Sequence, residues 1–189
     1  MPVTAIDPTT ALIVVDLQWG IVNMPTAHPM EDVIERSCVL VDAFRQQGLP
    51  VVLVNVAGGA PGRTEQPRRT AALPDGYTDL IPELDPQPND IVVTKHTWGA
   101  FTRTDLEGQL KAKGVTQVVV AGVATGTGVE ATARQAHELG FNVTLAVDAM
   151  TDTRAGAHVY SLANVFPRLG ETGTTEEIIG LLGRRITIQ

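Results

Sequence analysis

The sequence predicts an α/β protein built on a doubly wound, mostly parallel sheet. Short apolar runs rich in β-branched residues recur along the 189 residues, and helix-like stretches separate them. Runs that are apolar throughout are typical of strands buried on both faces, and their alternation with helices indicates a parallel sheet. The predicted strands are residues 11–15, 51–56, 91–94, 118–122 and 143–147.

The stretch before the second strand predicts a helix over residues 30–47, and a second helix is predicted over residues 130–138. The apolar residues of the first helix recur at helical spacing and form one face: Met30, Ile34, Cys38, Val41 and Phe44. Because Cys38 lies on this face, we expect its thiol to belong to the core.

Two further helices carry the sequence signal of a capping box. Thr104 and Glu107 have the spacing that would open a helix over residues 105–113. Thr174 and Glu177 repeat that spacing before the last apolar stretch. Both pairs predict a helix that begins with reciprocal side-chain hydrogen bonds.

Composition limits the classes of function. The chain has 14 Lys and Arg against 21 Asp and Glu, a formal net charge of −7, which argues against nucleic acid and anionic membranes as partners because both recruit clustered cations. A single cysteine forms no intrachain disulfide, and no apolar run is long enough to cross a membrane. The first ten residues lack a signal-peptide pattern. We therefore expect one cytoplasmic domain over residues 1–189.

One connection differs from the rest of the chain in composition. Residues 57–76 are rich in Gly and Pro and contain Arg63, Arg68 and Arg69. A connection of this length without a helical or strand pattern predicts either a functional lid or a solvated excursion.

Chemically unusual residues follow three of the predicted strands. Asp16 closes the first, Lys95 follows the third, and the Thr-Gly-Thr-Gly loop at residues 125–128 follows the fourth and opens a helix. Because ligands bind beyond the carboxyl ends of parallel strands, these residues predict a small-molecule site at one edge of the sheet.

One interpretation of this edge is dinucleotide binding. Gly126, Gly128 and Ala131 match the G-x-G-x-x-A pattern, and Asp148 lies about twenty residues further on, where the ribose-binding acid is expected. Three residues separate the strand from Gly126, however, whereas the dinucleotide pattern turns at once, and the motif follows the fourth strand rather than the first.

Three segments resemble the isochorismatase-like hydrolases, also called the cysteine hydrolase superfamily. Residues 11–18 (ALIVVDLQ) resemble the first motif of that family, residues 95–106 (KHTWGAFTRTDL) its lysine motif, and residues 122–152 its nucleophile loop with the following helix. The resemblance implies a three-layer α/β/α fold with a six-stranded, mostly parallel sheet. It also implies that Asp16 and Lys95 are catalytic.

The chain departs from the family pattern at the nucleophile. Family amidases have an Asp, Lys and Cys triad, with the Cys in a T-N-x-C-V-E context that reads T-G-T-G-V-E at residues 125–130 here. Gly128 stands at the cysteine position, and a residue without a side chain cannot attack a carbonyl, which argues against thiol-dependent amidase or nicotinamidase activity. The segment that holds metal-binding His and Asp residues in other members has neither here, so we expect no catalytic metal and no cofactor.

Isochorismatases of the family also lack the thiol, and the resemblance implies hydrolysis of a vinyl ether. The substrate would be isochorismate or an unidentified related small molecule. Asp16 would protonate the enol-pyruvyl methylene and water would release pyruvate, while Lys95 positions the acid. Asp16 must then hold a proton near neutral pH; burial would raise its pKa and Lys95 would lower it.

The same motifs supply candidate substrate contacts. They are Gln18, Trp98, Phe101, Ala124, Thr125 and Thr127. An anionic substrate also requires cations, for which the candidates are Lys95, Arg103, Arg63, Arg68 and Arg69. The resemblance further implies a cis peptide bond between Val123 and Ala124.

Two expectations concern binding rather than catalysis. A chain without the nucleophile would also fit an inactive small-molecule-binding homologue. Members of the family commonly form homo-oligomers, which we expect here as a homodimer or larger, and the apolar segment 178–188 is a candidate contact.

Overall fold

The computed structural model describes residues 2–66 and 72–184, and there it shows a six-stranded sheet between two layers of helices. The strands are β1 (Thr10–Val15), β2 (Val51–Val56), β3 (Ile91–Lys95), β4 (Gln117–Val123), β5 (Asn142–Thr151) and β6 (Glu171–Gly173). The α-helices are α1 (Trp19–Val22), α2 (Met30–Gln46), α3 (Leu106–Ala112), α4 (Glu130–Glu138), α5 (Ala155–Tyr160) and α6 (Thr175–Arg184). The strand order is β3-β2-β1-β4-β5-β6 and every neighbouring pair is parallel. The predicted doubly wound α/β class is confirmed.

Burial on both sides of the sheet explains the continuous apolar runs. Every residue of β1 and β4, the two central strands, is buried. One sheet face packs against α3 and α4, and the other packs against α2 and α6. The edge strand β3 instead alternates buried and exposed residues. The three-layer arrangement that the resemblance implies is therefore the observed one.

The fifth strand is longer than the predicted 143–147, and its ladder with β4 continues after an irregularity between Val120 and Gly122. Asp148, which directly follows the predicted strand 143–147, lies within β5, so the predicted end of this strand was wrong. Its Oδ1 accepts hydrogen bonds from the backbone N–H and the hydroxyl of Thr175 at 2.7 and 3.0 Å. Asp148 thus anchors the start of α6 to the sheet.

One capping-box prediction is confirmed and the other is wrong. Before α6, the Thr174 N–H donates to Glu177 Oε2 at 2.8 Å, and the Glu177 N–H donates to the Thr174 hydroxyl at 3.2 Å. At α3, the cap residue is Asp105 and makes no side-chain cap hydrogen bond. The Thr104 hydroxyl donates to the Ala100 carbonyl at 2.6 Å instead.

The buried face of α2 differs from the predicted face by a small rotation. Its buried residues are Met30, Val33, Ser37, Leu40, Val41 and Phe44. Cys38 is consequently half-buried rather than a core thiol, and its Sγ–H donates to the Glu83 carbonyl at 3.3 Å. Burial, with the nearby carboxylates of Asp42 and Glu83, raises the pKa of the Cys38 thiol.

The long connection and the chain end complete the described fold. Residues 57–66 and 72–76 form neither helix nor strand, while Arg68 and Arg69 lie outside the described residues. Ile178 and Leu182 are buried in the protein's own core, which argues against their part in the predicted contact over 178–188. The homo-oligomer itself stays a prediction. None of the helices in the described part of the chain is long and apolar enough to cross a membrane.

Replacing Thr174 with Ala removes the hydroxyl that caps α6. We expect the free energy of unfolding to fall by about 1 kcal/mol, as for other helix caps, in chemical denaturation. Glu177→Gln is the matched control, because glutamine also serves in a capping box and should change stability less. Equal stability of Thr174→Ala and the wild type would contradict the capping role.

Candidate active site

A cleft of about 280 Å³ lies at the carboxyl ends of the central strands. In the order β3-β2-β1-β4-β5-β6, the chain's connections diverge between β1 and β4, which is the switch point where doubly wound sheets bind ligands. The cleft has a polar part made of Asp16, Lys95, Thr26, Thr97, Thr127 and Thr153. Its apolar part is made of Ile21, Met24, Val56, Val123 and Trp98.

An ion pair between Asp16 and Lys95 forms the buried end of this cleft. Asp16 follows β1 directly, and its φ of 55° turns the chain out of the strand. Lys95 is the last residue of β3, and its Nζ donates to Asp16 Oδ2 at 2.7 Å and to the Thr97 carbonyl at 3.3 Å. The two residues are 6% and 1% exposed. The predicted meeting of these strand-end side chains is therefore observed.

Burial dominates the protonation equilibrium of Asp16. Desolvation raises the pKa of Asp16 from 3.8 to about 6, and the charge and hydrogen bond of Lys95 oppose it only in part. Oδ1 is buried and has no hydrogen-bond partner among the described residues. Because the Lys95 ammonium donates to Oδ2, the proton of the neutral acid belongs on Oδ1. In the competition that the sequence left open, the effect of burial on the pKa of Asp16 therefore exceeds that of Lys95.

Gly128 borders this carboxyl. It lies in a single π-helical turn, Thr125–Val129, that joins β4 to α4. A Cβ atom built at Gly128 would lie 3.2 Å from Asp16 Oδ2 and 3.0 Å from a methyl carbon of Val15. The absence of a side chain therefore keeps space open beside the acid. The Val123–Ala124 peptide bond before this turn is cis, as the resemblance implies.

The geometry of this turn does not support dinucleotide binding. The Gly126 N–H donates to Asp152 Oδ2 at 2.8 Å. The N–H groups of Thr127 and Val129 both donate to the Ala124 carbonyl at 3.1 Å. Three of the backbone N–H groups that would cradle a pyrophosphate are therefore already used inside the protein. Asp148, the proposed ribose-binding acid, lies within β5 rather than at its end.

The structure brings some of the predicted substrate contacts to the cleft and not others. Trp98, Ala124 and Thr127 line it. Phe101 packs in the core, where its ring stacks with that of Phe141 at a centroid distance of 6.0 Å. Thr125 is fully buried, and its hydroxyl pairs with His158 Nδ1 at 2.8 Å.

Gln18 also lies away from the cleft, because its amide holds backbone groups. Its Nε2 donates to the carbonyls of Val56 and Tyr77 at 3.0 and 2.8 Å, and its Oε1 accepts from the Val56 N–H at 2.6 Å. The side chain is fully buried. Gln18 therefore fixes the end of β2 and the segment at Tyr77 next to Asp16, and it is a positioning residue.

Seven residues that line the cleft were not predicted as site residues: Ile21, Met24, Thr26, Val56, Gly58, Thr97 and Thr153. The segment that carries Met24 and Thr26 is held by hydrogen bonds from the Ala27 N–H to the Asp152 carbonyl at 2.8 Å and from the His28 N–H to the Thr151 hydroxyl at 3.2 Å. No sequence motif marks such long-range contacts.

Positive charge in the cleft comes from one side chain of the described residues, Lys95. The other candidates, Arg63 and Arg103, are exposed and do not line the cleft. Across residues 2–66 and 72–184, no group of three or more His, Cys, Asp or Glu side chains is arranged to hold a metal ion.

Comparison with known proteins finds relatives that match most of the chain. The family model described as isochorismatase domain matches residues 10–177. The chain is 38% identical over 181 residues to the uncharacterized isochorismatase family protein YecD of Escherichia coli O157:H7, an alignment that covers 92% of this chain and 96% of YecD. It is 30% identical to enterobactin synthase component B of Escherichia coli K12, covering 89% of this chain and 62% of that protein. The solved structure of an isochorismatase family protein from Burkholderia thailandensis superposes with a TM-score of 0.90 at 37% identity, covering 95% of this chain and 98% of the other.

Replacing Gln18 with Ala leaves the backbone groups of Val56 and Tyr77 without their buried partner. We expect the free energy of unfolding to fall by about 3 kcal/mol, since each unsatisfied buried group costs about 1–3 kcal/mol. Chemical denaturation measures this loss. The matched control Gln87→Ala removes an exposed amide and should stay within about 0.5 kcal/mol of the wild type. If both variants changed the unfolding free energy equally, the hydrogen bonds of Gln18 would not stabilise the fold.

The raised pKa of Asp16 predicts a pH-dependent stability. Because the folded state binds this proton more tightly than the unfolded chain, the stabilisation is complete below pH 3.8 and is lost as the pH rises through about 6. Relative to Asp16→Asn, which does not titrate, the wild type should lose about 2 kcal/mol of unfolding free energy between pH 4 and pH 7. Denaturation of both proteins across this range measures the difference. If the difference in unfolding free energy between the wild type and Asp16→Asn did not change with pH, the raised pKa of Asp16 would be contradicted.

Proposed function

The chain belongs to the isochorismatase family, and we propose that it is a hydrolase that cleaves a small vinyl ether of the enol-pyruvate type, with Asp16 as general acid. One observation carries the proposal: a buried carboxyl, held by Lys95 through one oxygen, borders a cleft in which residue 128 has no side chain. The Asp and Lys of the amidase triad are present, whereas the position of the thiol is occupied by Gly128. Isochorismate is the substrate to test first.

The reaction begins with transfer of the Asp16 proton to the terminal methylene carbon of the vinyl ether. The π electrons form the new C–H bond, and the adjacent carbon becomes an oxocarbenium ion. Water adds to that carbon and returns one proton to Asp16. The hydroxyl proton of the resulting hemiketal passes to the leaving oxygen as its C–O bond breaks and the C=O bond forms, which releases the alcohol and pyruvate. One water molecule is consumed, and the acid is regenerated.

Burial prepares Asp16 for this role. A general acid works best when its pKa lies near the working pH, and burial raises the pKa of Asp16 to about 6. Lys95 holds Oδ2 at 2.7 Å and so fixes the orientation of the carboxyl. Val56 and Val123 line the cleft beside the carboxyl, and Asp16 itself is only 6% exposed, so little water reaches it.

Activity should depend on Asp16 and on its proton. With isochorismate as substrate and lactate dehydrogenase to report pyruvate, we expect Asp16→Ala and Asp16→Asn to lose about 100-fold or more of kcat, the usual range for a general acid. The wild-type kcat/KM should fall about tenfold per pH unit above 6, because the ionised acid is inactive.

The matched control for this experiment is Asp42→Asn, which removes an exposed carboxylate on α2 and should keep the wild-type rate. Full turnover by Asp16→Ala would exclude Asp16 as the acid. Absence of pyruvate with the wild type would exclude isochorismate and favour the alternative of an inactive binding homologue.

Filling the space at Gly128 should impair catalysis more than folding. In Gly128→Ala the new methyl group would lie about 3.2 Å from Asp16 Oδ2, so we expect kcat/KM to fall by about tenfold or more through displacement of acid or substrate. Gly126→Ala is the control: its Cβ meets neighbours at 3.0 and 3.3 Å but does not line the cleft. Equal losses in the two variants would indicate general strain of the turn.

A further inference from the structure

The Lys95 ammonium has one hydrogen-bonding position left for a ligand. An ammonium carries three N–H donors, and the described residues accept two of them: Asp16 Oδ2 at 2.7 Å and the Thr97 carbonyl at 3.3 Å. Lys95 nevertheless borders the cleft. An anionic group bound at this end of the cleft would interact with the same ammonium charge that pairs with Asp16.

The charge of this buried pair depends on the proton of Asp16. When Asp16 is ionised, its charge cancels that of Lys95. When Asp16 is neutral, as general acid catalysis requires, a buried ammonium keeps an uncompensated charge, which is unfavourable in a desolvated place. One negative charge in the cleft would restore the balance. A carboxylate beside the reacting double bond, which every enol-pyruvyl ether carries, supplies that charge.

We propose that the substrate's own carboxylate replaces the charge of Asp16 at Lys95, so that substrate binding draws one proton onto Asp16. The proposal deepens the function proposed above and rests on it for the identity of the substrate. It defines the substrate class by one carboxylate next to the bond that breaks. Binding of the substrate thereby converts Asp16 into the neutral acid that protonates the substrate.

Linkage makes this coupling reciprocal. If protonation of Asp16 favours binding of a carboxylate, that carboxylate must raise the pKa of Asp16 by an equal free energy. The physical cause is the one known for paired carboxylates: two negative groups that share one site cannot both remain ionised at neutral pH. Here Oδ1, for which the described residues offer no hydrogen-bond partner, is the atom that takes the proton.

The surrounding elements leave Asp16 as the group that titrates in response to the ligand. Of the described residues that line the cleft, Asp16 and Lys95 are the titratable ones. His96 follows β3, is exposed and does not line the cleft, although its Nδ1 would lie 3.3 Å from a Cβ built at Gly58. Two further groups, His158 and Asp152, lie behind the turn that carries Gly128, where they contact Thr125 and Gly126. His28 stacks at 4.5 Å on His158.

Pyruvate is the probe, because it carries the carboxylate without the bond to be cleaved. Isothermal titration calorimetry at pH 7 in two buffers of different ionisation enthalpy gives the number of protons taken up. With a pKa of about 6, about one-tenth of Asp16 is protonated in the free protein at pH 7, so we expect uptake of about 0.9 proton per site. At pH 5 the uptake should fall to about 0.1.

The affinity for pyruvate should vary with pH in proportion to the protonated fraction of Asp16. Between pH 6 and pH 8 the protonated fraction of Asp16 falls about 50-fold, and the affinity of the wild type for pyruvate should fall with it. Asp16→Asn, which mimics the neutral acid, should bind pyruvate with the same affinity at both pH values and without proton uptake. Binding by the wild type without proton uptake, or no binding at pH 6, would overturn the proposal.

Three controls separate this coupling from other causes. Pyruvamide, the neutral analogue, should bind at least tenfold more weakly than pyruvate at pH 6 and take up no proton. Lys95→Met should lose pyruvate binding while circular dichroism shows a folded protein. Lys111→Met, which removes an exposed lysine of α3 that does not line the cleft, should keep the wild-type affinity, and equal losses in the two lysine variants would overturn the assignment of the carboxylate to Lys95.

The two proposals fail in distinguishable ways. Proton uptake with pyruvate but no turnover of isochorismate would keep the coupling and reject that substrate. Turnover that depends on Asp16, with no proton uptake on binding of pyruvate, would keep the general acid and reject the coupling.

Discussion

The buried pair of Asp16 and Lys95 is the interaction on which the rest of the site depends. A carboxyl that is 6% exposed is costly to ionise, and a single ammonium 2.7 Å away offsets only part of that cost. The outcome is an acid with a pKa raised to about 6 rather than the permanently ionised partner of a salt bridge. Without Lys95 the carboxyl would lose its orientation, and without burial it would lose its proton.

The sheet creates this pair by bringing distant strand ends together. Asp16 ends β1 and Lys95 ends β3, with β2 between them in the sheet. On the other side β4 approaches β1 so closely that a Cβ at Gly122 would lie 2.1 Å from the Val15 carbonyl oxygen, and this glycine has a φ of 108°. The turn that leaves β4 then places Gly128 beside the acid. A parallel sheet with its switch point between β1 and β4 is therefore what makes the site.

Much of this could be predicted because strand ends and motifs are local signals. Two of the site residues, Asp16 and Lys95, directly follow apolar runs. The third, Gly128, interrupts the nucleophile motif of the family. Gln18 could not be assigned in this way, since a polar residue next to the acid looks like a substrate contact until its three hydrogen bonds to backbone are seen. The irregular ladder of β5 concealed the true end of that strand, and with it the structural role of Asp148. Thr26 and Thr153 reach the cleft through contacts between segments far apart in sequence, which no periodic pattern records.

Direct titration of the Asp16 carboxyl tests this account most closely. Carbon-13 NMR of the protein labelled at aspartate side-chain carboxyl carbons, with Asp16→Asn to assign the resonance, gives its pKa without a substrate. The account predicts a midpoint near 6. A midpoint near the ordinary value of 3.8 would contradict it, because Asp16 would then be an ionised partner of Lys95 with no proton to donate at neutral pH.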